Sequence, residues 1–170
     1  MSQEKDVSFS KIKIENVILE EKKNHFELNG DVSVALENPL TEALRKGVTL
    51  EFISEFNIYS KKSFFIEKVY YRKVRIASLT YHGITRRFNV IVNKKKLFFE
   101  SLTEALAACL SIKNWILLPK EFDLNGRKMK VKLNLNIDSL PKALSIVAFT
   151  DPLWRVSTNW VDVQLEERLP

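Results

Sequence analysis

The sequence has few of the residues that build covalent or metal-held scaffolds. A single cysteine, Cys109, excludes an intrachain disulfide and a cysteine-based zinc site. Two histidines, His25 and His82, are too few for a multi-histidine metal site. Four glycines and five prolines exclude a collagen-like or linker-rich chain, and no apolar run reaches the roughly 18 residues of a membrane span. We therefore expect no metal and no cofactor.

The remaining composition is that of an ordinary globular protein. The chain has 170 residues, of which 45% are hydrophobic and 28% charged, and this length fits one domain with its own core. Its first six residues (MSQEKD) are polar, and no apolar segment follows them, so the chain as given carries no secretory signal. We expect a flexible N-terminal tail at residues 1–8 and a single β-rich domain at residues 9–166.

Alternation of apolar and polar residues dominates the chain. From Lys130 to Asp138 every second residue is apolar, which is typical of an antiparallel strand with one dry face. Similar patterns predict about seven strands, near residues 8–20, 25–36, 47–59, 64–79, 85–93, 127–138 and 155–165. A change of phase at Tyr70–Tyr71 predicts a bulge, and Asn29–Gly30 and Asn125–Gly126 predict turns. The predicted fold is mainly β, an antiparallel β-sandwich or open barrel.

Two or three short capped helices are predicted between the strands. Three segments, near residues 38–44, 100–106 and 138–144, share a capping residue at the start and an Ala-Leu end. Asn38 is expected to cap the first of them, and Gly47 to end it in a left-handed conformation. Ser101 and Glu104 have the spacing of a capping box.

Positive charge is concentrated in one part of the chain. The net charge is +6, yet the window from Lys61 to Lys96 holds eleven basic residues and one acid, Glu67, and therefore nets +10. Aromatic residues, among them Tyr70, Tyr71 and Tyr81, are threaded through this basic window. Lys94–Lys96 is expected to be a hairpin tip or part of an edge strand whose lysines prevent pairing with another strand. The candidate binding residues are Lys68, Arg72, Lys73, Arg75, Tyr81, His82, Arg86 and Arg87.

Three uses of the basic window stay open at this point. A strand with one face in solvent carries charged residues on that face whatever its function. The simplest interpretation of the basic window is therefore a solvent-exposed face without a binding role. An anionic membrane surface or an acidic protein would be attracted by the same field. Single-stranded nucleic acid would use both the cations and the aromatic rings. Nucleic acid is the less favoured partner, because lysine outnumbers arginine 19 to 8 and no known nucleic-acid-binding motif occurs.

The sequence contains none of the common catalytic motifs. The sequence has no glycine-rich phosphate loop, no nucleophile elbow and no zinc-protease motif. The one enzymatic hypothesis centres on Tyr81, His82 and Asp151, but a turn histidine bonded to the backbone is the simpler interpretation of His82. Cys109 is expected to be buried and unreactive. The three tryptophans are expected to pack in the core, with Trp160 pointing inward from a strand.

Several stretches, in a fixed order from about residue 10 to residue 165, form a recognisable set. They are Asn29–Asp31 before a valine-rich strand, Thr41–Leu44 with Gly47–Phe52, Leu79–Phe88 (LTYHGITRRF), Phe99–Leu106, Leu140–Leu144 and Ser157–Trp160. Together they resemble the proteobacterial domain-of-unknown-function family 4390. The most specific element is the Tyr-His-x-x-Thr-Arg stretch that begins at Tyr81.

The resemblance implies more about location than about activity. Members of the family look like exported envelope proteins that carry an N-terminal signal or anchor. No catalytic residues are assigned to them. Their genes tend to lie beside a membrane sensor histidine kinase. The resemblance therefore implies a periplasmic protein, or one anchored in the membrane and facing the periplasm. This chain departs from the pattern because it lacks the signal segment.

The function expected from the sequence is non-enzymatic. We expect an envelope interaction module that binds a protein or an anionic lipid and modulates a neighbouring membrane sensor kinase. The alternative is a cytoplasmic protein that binds single-stranded nucleic acid through the basic and aromatic residues of 61–96.

Overall fold

The computed structural model describes residues 9–61 and 67–167. The tail predicted at residues 1–8 lies outside the described residues, and so do Phe64 and Phe65 of the basic window. The described strands are β1 (Lys11–Glu21), β2 (His25–Ala35), β3 (Leu50–Tyr59), β4 (Val69–His82), β5 (Arg87–Val92), β6 (Lys95–Phe99), β7 (Leu117–Pro119), β8 (Met129–Leu135), β9 (Val161–Asp162) and β10 (Gln164–Glu166). The helices are α1 (Leu40–Arg45), α2 (Leu102–Leu110) and α3 (Lys142–Thr150).

The strands form two sheets, which confirms the predicted mainly β, sandwich-like fold. One sheet has four strands in the order β10-β1-β2-β7, and the other has six in the order β6-β5-β4-β3-β8-β9. Within the described residues the sheets do not close into a barrel. All pairs are antiparallel except β1 with β10, which is parallel.

The strand predicted at 155–165 is wrong as a single element. Val161–Asp162 pairs with β8 in the six-stranded sheet, whereas Gln164–Glu166 pairs with β1 in the other sheet, so the chain crosses between the sheets at the buried Val163. The inward position predicted for Trp160 is also wrong. This residue lies just before the short β9, where it is 40% exposed, and its ring lies next to the Lys132 ammonium. Trp115 and Trp154 are buried as predicted.

The turn predicted at Asn29–Gly30 is wrong too, because both residues lie inside β2. The pairing of β1 with β2 shifts between Glu15 and Ile18, so the irregularity sits on β1, where Asn16 has a φ of 53°. Gly30 faces this bulge, and a Cβ atom there would lie 2.9 Å from Ile112 Cδ1. Glycine is therefore required by a close approach and not by a turn.

Three other local predictions are confirmed, and the predicted cap of α1 is wrong. The β3–β4 register shifts by one residue at Tyr70, as the change of phase predicted. Ser101 caps α2, since its hydroxyl accepts the Glu104 amide at 3.1 Å, and Gly47 has a φ of 93° after α1. Asn38 does not cap α1, because its side-chain oxygen accepts the Thr41 hydroxyl at 2.6 Å instead of a backbone amide.

Core side chains fill the space between the sheets. Phe52, Phe56 and Ile58 of β3 are fully buried, as are Leu19 and Leu28 of the four-stranded sheet. Helix α2 packs against β2 on one side and against β4 and β5 on the other. Its buried side chains are Ala105, Leu106, Cys109 and Leu110. The burial of Cys109 is confirmed.

Candidate functional site

The basic window does not form one continuous surface. Strand β4 has 14 residues, and at about 3.3 Å per residue its ends lie roughly 40 Å apart. Successive side chains also point to opposite faces of the sheet. The predicted residues consequently fall into three groups: Lys68 and Arg72 at the start of β4, Lys73 and Arg75 on its inward face, and Tyr81, His82, Arg86 and Arg87 at the far end.

The first group is partly neutralised. The Arg72 Nε–H donates to Glu55 Oε1 at 2.8 Å across the β3–β4 pair. This ion pair lies on the outward face of the six-stranded sheet. Lys68 is exposed, and its carbonyl accepts the amide of Ser60 at 2.7 Å.

The second group lies on the inward face of β4, where Arg75 is buried and Lys73 is exposed. Arg75 is only 8% exposed, and its guanidinium donates to the Ser111 carbonyl at 2.7 Å and to the Ser54 hydroxyl at 3.0 Å. Burial lowers the pKa of Arg75 to about 10, so the side chain remains charged at neutral pH. Lys73, two residues earlier on the same face, donates to the Trp115 carbonyl at 3.0 Å.

The third group surrounds the loop that joins β4 to β5, residues 83–86; we call this loop, together with Arg87 at the start of β5, the hairpin tip. His82 Nδ1 lies 3.1 Å from the Thr85 hydroxyl and accepts the Thr85 amide at 3.4 Å, so the ring is bonded within the loop. Between His82 and Thr85, Ile84 projects into solvent with 91% of its surface exposed. Arg86 and Arg87 follow directly, and both are exposed. The tip thus combines one projecting apolar side chain with two cations.

Helices α1 and α3 lie at the same end of the sandwich as the hairpin tip. The Arg45 guanidinium of α1 lies 5.7 Å from the ring centre of Tyr81. A shallow cleft of about 270 Å³ joins Ala43 of α1 to Leu144 of α3. On α3 three large apolar side chains face solvent, Ile146, Val147 and Phe149, the last with 72% of its surface exposed. We call this end, with α1, α3 and the hairpin tip, the apical end.

A second apolar surface lies on the outward face of the six-stranded sheet. Val74, Ile76, Ile91 and Phe98 are each about half exposed, between 48% and 56%. The register places Ile76 beside Ile53 of β3 and Ile91 beside Lys96 of β6. The outward face of an antiparallel sheet is usually polar. We call these four residues the outer stripe.

The residues of the enzymatic hypothesis bond elsewhere. Asp151 accepts the Leu153 amide at 3.0 Å, the ring of Tyr81 packs on Phe88 with centres 5.0 Å apart, and His82 is held by Thr85. Burial raises the pKa of the Cys109 thiol to about 12. In the part of the chain that the structure describes, no group of three or more His, Cys, Asp or Glu residues could hold a metal ion.

Sequence reasoning did not separate these groups, although one signal was available. Arg75 shares its strand parity with Ala77 and Leu79, both of which are buried, so its inward direction could have been derived from the alternation. Ile84 and the exposed face of α3 gave no such signal, because an apolar residue in a short segment is usually buried.

The fold and its surfaces define a β-sandwich with helical caps and two exposed apolar areas. The chain belongs to the family described as Domain of unknown function (DUF4390), whose model matches residues 10–164. The resemblance noted from the sequence is thereby confirmed. No curated protein and no solved structure matches the chain. Among the helices in residues 9–61 and 67–167, none has the length and apolar character needed to cross a membrane.

Proposed function

We propose that the protein is a non-enzymatic interaction module that docks on an anionic membrane surface through its apical end. The observation that carries this proposal is the hairpin tip, where a 91% exposed isoleucine, Ile84, stands two residues before the first of two exposed arginines, Arg86 and Arg87. Exposed apolar side chains beside cations are the combination by which peripheral proteins hold an anionic bilayer interface.

The expected affinity is modest. Each cation near an anionic surface contributes about 1 kcal/mol, and partial burial of Ile84 and Phe149 in the interface adds about 1–2 kcal/mol each. With Arg86 and Arg87 the favourable sum is about 4–6 kcal/mol before the lost freedom of the bound protein is subtracted. Docking through these groups alone is therefore reversible and salt-sensitive, and it suits a module that also contacts a membrane protein.

Two described aromatic rings of the basic window, those of Tyr70 and Tyr71, favour this proposal over nucleic-acid binding. Tyr71 packs edge-on against Phe122, with ring centres 5.2 Å apart, and the Arg127 guanidinium covers the ring of Tyr70 at 3.8 Å. A single-stranded platform needs free ring faces on which bases can stack. These rings already pack against protein groups.

Location and regulation belong to the same proposal. The family resemblance supports an envelope protein that faces the periplasm and modulates a neighbouring sensor kinase, and docking on the bilayer would bring the module beside such a receptor. Fractionation of cells that produce the tagged full-length protein would test the location, since recovery in the cytoplasmic fraction would contradict it.

The docking surface is tested by sedimentation with vesicles. We expect the protein to sediment with phosphatidylglycerol vesicles and not with phosphatidylcholine vesicles at low salt. Ile84→Glu should reduce binding strongly, because it places a carboxylate where the apolar side chain would enter. Ile91→Glu introduces the same charge on the outer stripe and serves as the matched control. Equal binding by wild type and Ile84→Glu would contradict the apical docking surface.

A protein partner on the outer stripe is a second candidate function. Contiguous exposed apolar side chains mark interaction sites, and Lys96, which lies over the ring of Phe98 at 5.5 Å, gives the stripe a cationic border. An acidic, partly apolar protein surface fits this arrangement. If the stripe is the interface, Ile91→Glu should abolish crosslinking to a membrane sensor kinase, whereas Ile84→Glu should not.

A further inference from the structure

A cationic cleft opens beside Arg75, on the opposite side of the sheet from the outer stripe. It has a volume of about 370 Å³ and lies between β4, the end of α2 and the turn that leads to β7. Three cations line it, Lys73, Arg75 and Lys113, and no acidic residue does. Among residues 9–61 and 67–167, no carboxylate makes an ion pair with any of the three.

The charge of Arg75 is satisfied only in part. Its two described acceptors, the Ser111 carbonyl and the Ser54 hydroxyl, are neutral, and the ring of Trp115 lies 4.8 Å from the guanidinium. Two buried N–H groups, Arg75 Nε and Trp115 Nε1, have no acceptor among the described residues. A buried charge is costly when no opposite charge compensates it.

The two lysines supply donors at the mouth of the cleft. One N–H of the Lys73 ammonium is used by the Trp115 carbonyl, at 3.0 Å, which leaves two for a ligand. Lys113 is exposed and lines the same cleft, together with the amides of Asn93 and Asn114. An ammonium group binds carboxylates and phosphates as a point charge, without the fixed geometry of a guanidinium.

The cleft also has an apolar part, beside the polar residues Asn93, Ser111 and Asn114. Val92, Ala108 and Leu117 line it beside Trp115. Its volume falls in the range of small-molecule sites, about 300–1,000 Å³, so a bare inorganic anion would leave most of it unfilled. The complementary ligand therefore has a charged oxyanion at one end and an apolar body.

We infer that this cleft binds a small organic oxyanion, a carboxylate or phosphate group on a short apolar chain, with the anion held by Lys73 and Lys113 above the buried guanidinium of Arg75. The inference is independent of membrane docking. Arg75 lies seven residues before the end of β4 at His82, which places it roughly 23 Å along the strand from the hairpin tip.

The test is an NMR titration of the full chain with hexanoate and, separately, with hexyl phosphate. The readouts are the side-chain Nε–H resonances of Arg75 and Trp115, which lie at the base of the cleft. We expect saturable shifts of both resonances with at least one ligand, and the tighter of the two ligands identifies the charged group. Inorganic phosphate should bind more weakly than hexyl phosphate, and neutral hexanol should cause no comparable shift.

Variants separate a built site from general charge attraction. Lys73→Gln and Lys113→Gln should each weaken binding about tenfold, because each removes a charged hydrogen bond. Lys142→Gln on α3 makes the same change of charge far from the cleft and should bind like wild type. All three lysines are exposed, so folding is not at risk.

Three outcomes would overturn the inference. They are the absence of a saturable shift with either ligand, an equal shift with hexanol, and an equal loss of binding in Lys142→Gln. The vesicle assay keeps the two proposals apart, because Lys113→Gln should still sediment with anionic vesicles. Conversely, Ile84→Glu should still bind hexanoate or hexyl phosphate.

Discussion

A methyl group added at Gly30 is expected to destabilise the protein mainly through its closest contact, which is with Ile112 Cδ1. The new Cβ of Gly30→Ala would lie 2.9 Å from Ile112 Cδ1 and 3.3 Å from Val17 Cα. Ile112 is fully buried, so its side chain has little room to turn away. Overpacking of this kind costs about 1–3 kcal/mol, and the lower chain entropy of alanine in the unfolded state returns about 0.4–1 kcal/mol. We expect a net loss of about 1 kcal/mol.

The contact can be isolated by removing the atom that causes it. Ile112→Val deletes Cδ1 and should itself cost about 0.5–1.5 kcal/mol. In that background Gly30→Ala should cost less than in the wild type, because the closest contact is gone and only the backbone contacts with Val17 Cα at 3.3 Å and Glu15 O at 3.4 Å remain. The double variant should therefore be more stable than the sum of the single changes predicts, by up to about 1 kcal/mol.

Urea unfolding followed by tryptophan fluorescence measures all four proteins of this cycle. A loss of 1 kcal/mol lowers the midpoint by about 0.5 M if the urea dependence is about 2 kcal/mol/M. Gly83→Ala is the matched control, since nothing lies within 4 Å of a Cβ atom there. Strict additivity in the cycle would refute the explanation of why glycine occupies position 30.

Two further predictions concern α2. Ser101→Ala should lower the free energy of unfolding in urea by about 1 kcal/mol, because it removes the cap on the Glu104 amide. The control, Ser145→Ala on α3, should change stability by less than half of that. Equal losses in the two variants would contradict the capping argument. Cys109 has a folded-state pKa of about 12 against an ordinary value of 9.0, so above pH 9 the unfolded thiol loses its proton while the folded thiol keeps it. The free energy of unfolding should therefore fall by up to about 1.4 kcal/mol per pH unit from pH 9 upward. Cys109→Ala, measured at the same pH values, should remove that part of the pH dependence. If the wild type and the variant show parallel slopes, the thiol is not protected in the folded protein.

The fold was predictable from the sequence wherever a local pattern determines it. Alternation indicates which residues of β3, β4 and β8 share a face, and the change of phase at Tyr70 marks the bulge. The short strands β7, β9 and β10 have two or three residues each, too few for a period to emerge. Their existence depends on which distant strand lies beside them.

The error at Asn29–Gly30 has a different origin. The dipeptide favours a turn because both residue types tolerate positive φ. The structure uses the glycine for its missing side chain, since Ile112, which is more than 80 residues away in the sequence, occupies the space of a Cβ atom. A local preference cannot reveal a requirement that a distant part of the chain imposes.

The charge of the basic window was evident from composition, but its division among surfaces was not. Arg72 is paired with Glu55 on the outward face, Arg75 is buried beside the cleft, and Arg86 and Arg87 stand at the hairpin tip. Each position gives the same charge a different chemical role. Reversing all of these charges at once would change an ion pair, a buried guanidinium and an exposed loop together. Loss of binding in such a variant would not identify the surface responsible, which is why each proposed partner is tested with single substitutions in one group.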